Sequence, residues 1–139
     1  MNITRAKEIL KRQFGYDSFR LNQEQAIEAV LAKKDCLVLM PTGGGKSLCY
    51  QIPALMFDGL TVVVSPLIAL MKDQVDALRN NGIEAGFLNS TQTSREQTEV
   101  FQKIRRGELK LLYVAPERLL QSGEQFIEFL KSINVALFA

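Results

Sequence analysis

Short, predominantly apolar runs, set between amphipathic segments, constrain this chain most. DCLVLM (35–40), TVVVS (61–65), AGFLN (85–89), KLLYVA (110–115) and INVALFA (133–139) are apolar on both would-be faces. Such runs read as strands buried on both sides. The segments between them space their apolar residues at the helical period. Residues 67–80 (LIALMKDQVDALRN) predict a helix with Gly82 just past its end; residues 94–106 and 124–132 predict two more. SLCYQIPALM (47–56) reads as another helix. Upstream, 4–14 reads as a helix with Ile9 and Leu10 inward. Residues 22–33 carry Ala26, Ile27, Val30 and Leu31 on one stripe, with Asn22 as the N-cap. Strands that alternate with helices imply an α/β fold, with a mostly parallel sheet covered on both faces. No repeat, low-complexity tract or linker interrupts the chain, which reads as one unit.

Composition narrows the function. With 139 residues, 47% of them hydrophobic and 23% charged, the chain can bury a real core. No apolar run reaches the ~18 residues of a membrane span. The start, MNITRAKEILKRQF, alternates charged and apolar residues, unlike a signal peptide. The expected location is therefore the cytoplasm (nucleoid) of a bacterium or the nucleus of a eukaryote. The 17 basic and 15 acidic residues balance to +2, too mild to announce a nucleic-acid binder by charge alone. The chain has no His, so imidazole catalysis and His-ligated metals are excluded within it. Cys36 and Cys49 lie in apolar stretches and read as reduced core residues.

The most specific chemical signal is LVLMPTGGGKSLCYQ. A buried strand is expected to run through a Gly-rich turn into a helix that bears Lys46 and Ser47. Gly43, Gly44 and Gly45 permit backbone angles and close approach that a Cβ would block. Successive N–H groups can then form an anion nest, reinforced by the N-terminus of the helix. Lys46 suits the β- and γ-phosphates of a nucleotide, and the Ser47 hydroxyl suits Mg²⁺ held through that nucleotide. The first Gly of GxxxxGK[ST] falls at Met40. The plain alternative is a Gly-rich turn with a surface Lys and a helix-starting Ser. No convincing Asp follows at the end of an apolar strand: TVVVS ends in Ser65, and KLLYVA runs into Pro116 and Glu117, which lies in the turn past its strand.

FGYDSFRLNQEQAI upstream of PTGGGKSLCYQIPAL, followed by VVVSPLIALMKDQV, FLNST and LLYVAPERL, resembles the start of a RecQ-type DNA helicase of superfamily 2. These segments are similar to that family's motifs 0, I, Ia, Ib and Ic, in order and over nearly the whole chain. The resemblance implies a three-layer RecA-like P-loop NTPase fold. Residues 1–139 would form the N-terminal portion of the first of two such domains, truncated before the Walker B/DEAH motif. It implies ATP and Mg²⁺ as cofactors and single-stranded or duplex DNA as partner; protein partners remain unspecified. Gln23 resembles the residue that reads the adenine edge, which a carboxamide's donor and acceptor suit. Tyr16 and Arg20 resemble the pair packing on the adenine ring. Thr42, Gly43, Gly44 and Gly45 resemble the phosphate-loop backbone, with Lys46 and Ser47 as its phosphate and Mg²⁺ residues. Leu21 and Asn22 stand where Pro-Gly is frequent in that family. Taken alone, Tyr16 and Phe19 would read as a hydrophobic staple.

The resemblance also turns three segments toward DNA phosphates: Ser65, Pro66 and Lys72 in the Ia-like stretch, Asn89, Ser90 and Thr91 in the Ib-like turn, and Pro116, Glu117 and Arg118 in the Ic-like turn. Helix capping is the alternative for these Ser, Thr, Asn and Pro residues. Lys103, Arg105 and Arg106 read as a solvated helix end. The final run stops at Ala139, where the resemblance places an acid pair, so the chain reads as truncated. The aromatic-rich loop, the second RecA-like domain and the zinc and winged-helix regions are also missing; zinc is expected only in that absent part. The implied function is the ATP-binding part of an ATP-dependent 3′→5′ DNA helicase acting in repair and recombination, unable to unwind DNA alone. A non-catalytic nucleotide- or DNA-binding module is the second reading. A GTPase is disfavoured because no NKxD motif occurs, and a small-molecule kinase because no lid arginines can be located.

Overall fold

The computed structural model describes residues 2–20, 22–40, 45–120 and 123–139. The chain's contacts divide it into two compact units, Met1–Phe57 and Asp58–Ala139.

Among the described residues the first unit holds three helices. Helix α1 spans Ile3–Phe14. The Asn2 side chain caps it by accepting the Arg5 N–H at 3.0 Å. It ends at Gly15, whose φ of 77° lets the chain turn back on the last carbonyls. Ala6 and Leu10 are buried, and Ile9 is half-buried. Helix α2 spans Gln23–Leu31 and buries Gln23, Ala26, Ile27 and Leu31. Val30 of the expected stripe is half-buried. Asn22 occupies the cap position but its side chain makes no capping bond. Helix α3 spans Leu48–Met56.

The strand expected at 35–40 does not form. These residues carry no strand assignment, and Leu37 and Leu39 are 86% and 80% exposed. An apolar run states a demand for cover on both faces; it does not supply the neighbouring strand that completes a ladder. Cys36, expected in the core, is exposed with it, whereas Cys49 is buried as expected. Burial pushes the Cys49 thiol pKa up, and Cys36 adds to the rise.

The second unit is built on a sheet. In order it contains β1 (Leu60–Val64), α4 (Ile68–Asn80), β2 (Ala85–Leu88), α5 (Ser94–Arg105), β3 (Leu111–Val114), α6 (Pro116–Leu120), α7 (Gly123–Lys131) and β4 (Val135–Phe138). Among the described residues the sheet has four strands in the order β2-β3-β1-β4. Every pair is parallel. The chain steps one way across the sheet from β1 to β2, then the other way to β3 and β4. Parallel crossovers are right-handed, so this reversal puts α4 on one face and α5 and α7 on the other. The packing agrees. Leu60, Val62, Leu88, Leu112 and Val114 form one cluster with Ile104 of α5 and with Phe126 and Leu130 of α7. Met71, Val75 and Leu78 of α4 are buried outside that cluster. Gly82, at φ 78°, follows α4 as expected. Residues 116–118, expected in a turn, open the short helix α6, because Pro116 supplies the fixed φ a first helical residue needs.

Helix α5 starts with a reciprocal cap. Thr93 Oγ1 accepts the Glu96 N–H at 3.1 Å, and a Glu96 carboxylate oxygen accepts the Thr93 N–H at 2.9 Å. These bonds hold the Glu96 carboxyl below its usual range, the Thr93 backbone N–H being the larger cause. Thr93→Ala should lower stability by about 1 kcal/mol in a urea melt at pH 7. A carboxylate whose pKa is depressed on folding stabilises above its unfolded pKa, ~4.3. The Glu96 share should therefore fade as pH falls through the lowered folded value.

Candidate functional site

The sequence-expected site residues fall into two groups, one in each unit. In the first unit, Gln23 opens α2 and is only 2% exposed. A carboxamide can accept and donate at once, and Gln23 does both. Its oxygen accepts the Arg20 N–H at 2.8 Å, and its Nε2 donates to the Gly45 carbonyl at 3.0 Å. Gly45 has a φ of 77°, and a Cβ added there would collide with Gln23 Nε2. The backbone angle favours glycine here, and a Cβ would have to displace the Gln23 carboxamide.

Lys46 and Ser47 lead into α3, and the Gln51 N–H donates to the Ser47 carbonyl at 2.9 Å. Lys46 is exposed and forms no ion pair among the described residues. Ser47 is half-buried, and Tyr16 is 55% exposed in the segment after α1. Thr42, Gly43 and Gly44 lie outside the described residues.

In the second unit, register assembles the other group. Val64 and Leu88 both pair with Val114. The next residues, Ser65, Asn89 and Ala115, therefore form a row across the carboxyl edge, with neighbours ~4.8 Å apart. The connections after β1 and β3 leave on opposite faces, which opens a crevice at this edge, the usual ligand position in α/β sheets. A cavity of about 260 Å³ lies there, lined by Ile68, Asn89, Ser90, Gln97, Ala115, Glu117 and Arg118.

The row is built largely from local polar bonds. Ser65 Oγ accepts the Leu67 N–H at 3.2 Å, which delays the start of α4 to Ile68. Asn89 is buried, and its Oδ1 accepts both the N–H and the hydroxyl of Thr91. Its Nδ2 reaches Met71 Sδ at 3.5 Å. Ser90, Thr91, Pro66 and Glu117 are exposed, and Pro116 is half-buried. Lys72 is exposed in α4 and pairs with Asp76 at 2.8 Å, which raises its pKa. The Arg118 guanidinium donates to Gln97 Oε1 at 2.8 Å.

Two contributors escaped the sequence reading. Gln92 accepts the Asn89 N–H at 3.1 Å and donates to the Phe87 carbonyl at 2.8 Å. Gln97 lies between Asn89 and Arg118. A glutamine in a polar helical stretch carries no periodic signal, so neither stood out. Among the described residues no cluster of His, Cys, Asp and Glu could hold a metal ion.

The chain belongs to the DEAD/DEAH box helicase family, whose pattern matches residues 20–137. Its α/β architecture, with a parallel sheet between helices, is that of a RecA-like fold. Among curated relatives it is 58% identical over 133 residues to the ATP-dependent DNA helicase RecQ of Haemophilus influenzae, covering 95% of this chain and 22% of the relative. It is 52% identical over 136 residues to the ATP-dependent DNA helicase RecQ of Bacillus subtilis, covering 97% and 23%. A putative ATP-dependent DNA helicase Q1 of Caenorhabditis elegans is 46% identical over 132 residues, covering 94% and 21%. The chain thus spans less than a quarter of the length of these relatives, and the RecQ-type resemblance of its motifs is borne out.

Gly45→Ala should disturb the first unit by two routes, an unfavourable φ and displacement of the Gln23 carboxamide. Denaturation should show a loss of about 1–2 kcal/mol, and the Arg20 amide should exchange faster. Unchanged exchange at Arg20 would mean that the Gln23 tie does not hold that segment.

Proposed function

We propose that this chain is the ATP-binding part of an ATP-dependent 3′→5′ DNA helicase, which couples ATP hydrolysis to duplex unwinding in repair and recombination. In this reading residues 1–139 are the leading portion of the first RecA-like domain. The observation that carries the nucleotide half is the bond between Gln23 and Gly45. It ties the residue proposed for adenine recognition to the last glycine of the proposed phosphate loop.

The roles follow from chemistry. Gly45 and the N-terminus of α3 offer backbone N–H groups to phosphate oxygens, with Thr42, Gly43 and Gly44 proposed to complete the loop. Lys46 adds a point charge on the β- and γ-phosphates, and Ser47 offers its hydroxyl to the Mg²⁺ that accompanies the nucleotide. Tyr16 and Arg20 supply a ring and a guanidinium plane for the adenine. At the carboxyl edge of the sheet, Ser65, Pro66, Lys72, Ser90, Thr91, Pro116 and Glu117 are proposed to border a DNA strand. Hydroxyls and backbone N–H groups there would meet phosphate oxygens and carry no sequence preference. Asn89 would act through the turn it holds together.

The proposed location is the cytoplasm of a bacterium or the nucleus of a eukaryote. No described helix is long and apolar enough to cross a membrane. The 139 residues contain no DEAH or DEAD tetrapeptide, so the chain by itself is expected to bind nucleotide with little turnover. Phosphate release with ssDNA present should lie orders of magnitude below that of an intact helicase; comparable rates would refute this.

Nucleotide titrations test the site itself. Lys46→Ala should weaken ATP and GTP alike, and an unchanged affinity would remove the phosphate-loop assignment. Gln23→Ala should weaken both through the lost Gly45 tie, but ATP more. Equal losses would leave Gln23 with a structural role and no adenine contact.

A further inference from the structure

Arg118 is the one arginine that the motif reading turned toward DNA phosphate, and its guanidinium lies beside two phenylalanine rings. Its guanidinium carbon lies 5.7 Å from the Phe101 ring centroid and 5.8 Å from that of Phe126. Its Nε is buried without a hydrogen-bond partner, and among the described residues no carboxylate pairs with it. One N–H, at Nη2, bonds to Gln97 Oε1 at 2.8 Å. The other end of the Gln97 carboxamide points to the Asn89 carbonyl, 3.5 Å from Nε2. Donor chemistry fixes this orientation, since a guanidinium only donates and a carbonyl only accepts. Gln97 thus links the turn after β2 to the helix after β3.

We propose that Gln97 is a positioning residue of the DNA-facing edge: it sets the Asn89–Thr91 turn against α6, and Arg118, packed beside Phe101 and Phe126, anchors Gln97 and binds no phosphate. The inference rests on the reading that this edge meets DNA, and it adds how two of its segments keep their spacing. A strand of DNA contacted by both segments requires that spacing, because its phosphates repeat at a fixed interval. Gln97 and Arg118 therefore act on affinity without touching the ligand.

Gln97→Leu removes both bonds of the link. Arg118→Lys keeps the charge but loses the planar fork that packs beside the two rings and reaches Gln97. Two measurements on the 139-residue chain test the link. In the first, fluorescein-labelled oligothymidylate is titrated over a range of salt concentrations. Each variant should bind about three- to tenfold more weakly, as expected for one lost hydrogen bond. The double variant should be no weaker than either single one. The slope of log affinity against log salt should stay at the wild-type value, whereas loss of one phosphate contact would flatten it by about 0.7. Arg118→Lys binding as the wild type does, or additive losses in the double variant, would overturn the proposal.

The second measurement is amide hydrogen exchange without DNA. Both variants should speed exchange across residues 87–92 while β3 stays protected. Unchanged exchange there in Gln97→Leu would overturn the link whatever the DNA result. A wild-type chain that fails to bind the oligonucleotide would sink the DNA reading of this edge, while exchange would still decide whether Gln97 holds the turn.

Discussion

The second unit depends on the in-register parallel pairing of β3 with both β1 and β2. Because Val64, Val114 and Leu88 share one row, the three strands finish level. Three chain segments far apart in sequence are thereby delivered side by side at one edge. The same pairing, with right-handed crossovers, fixes which helix covers which face. The apolar residues of β1, β2 and β3 that meet Ile104, Phe126 and Leu130 hold this arrangement, and each such buried Leu or Val side chain contributes about 1.5–3 kcal/mol. A one-residue slip of any strand would turn its side chains to the wrong face and break the level edge.

Primary amides wire both candidate regions. Gln23 joins the Arg20 N–H to the Gly45 carbonyl in the first unit. Gln92 and Gln97 serve the turn after β2 in the second. A carboxamide can satisfy an orphaned N–H and an orphaned C=O together, without bringing in a charge. Loops that leave regular structure have both kinds of orphan, so one glutamine can brace both at once. The surface ion pairs, Lys72 with Asp76 and Lys7 with Glu24, are exposed on both sides and contribute little by comparison.

Much of the architecture was legible in advance. The apolar runs at 61–65, 85–89, 110–115 and 133–139 all become strands, and the helices between them appear within a few residues of their expected bounds. The run at 35–40 was equally apolar and does not become one. Its residues say only that they should be covered, and a strand exists only where a partner backbone lies alongside. Cys36 was misplaced for the same reason. The helix at Pro116–Leu120 was hidden because five residues are too few to display a period.

The chain's own residues determined the alternation of strand and helix, the Gly-Lys-Ser turn before α3 and the family to which the motifs point. These are local properties: side-chain shape, spacing along a helix or strand, and the backbone freedom of glycine. Tertiary structure alone decided that Gln23 holds Gly45, that Asn89 turns inward, and that Arg118 packs beside two phenylalanine rings with Gln97 as its partner. Each of these joins residues brought close only by the folded backbone, and a polar side chain's choice among possible partners is settled by which of them lies within 3 Å or so once the core has packed.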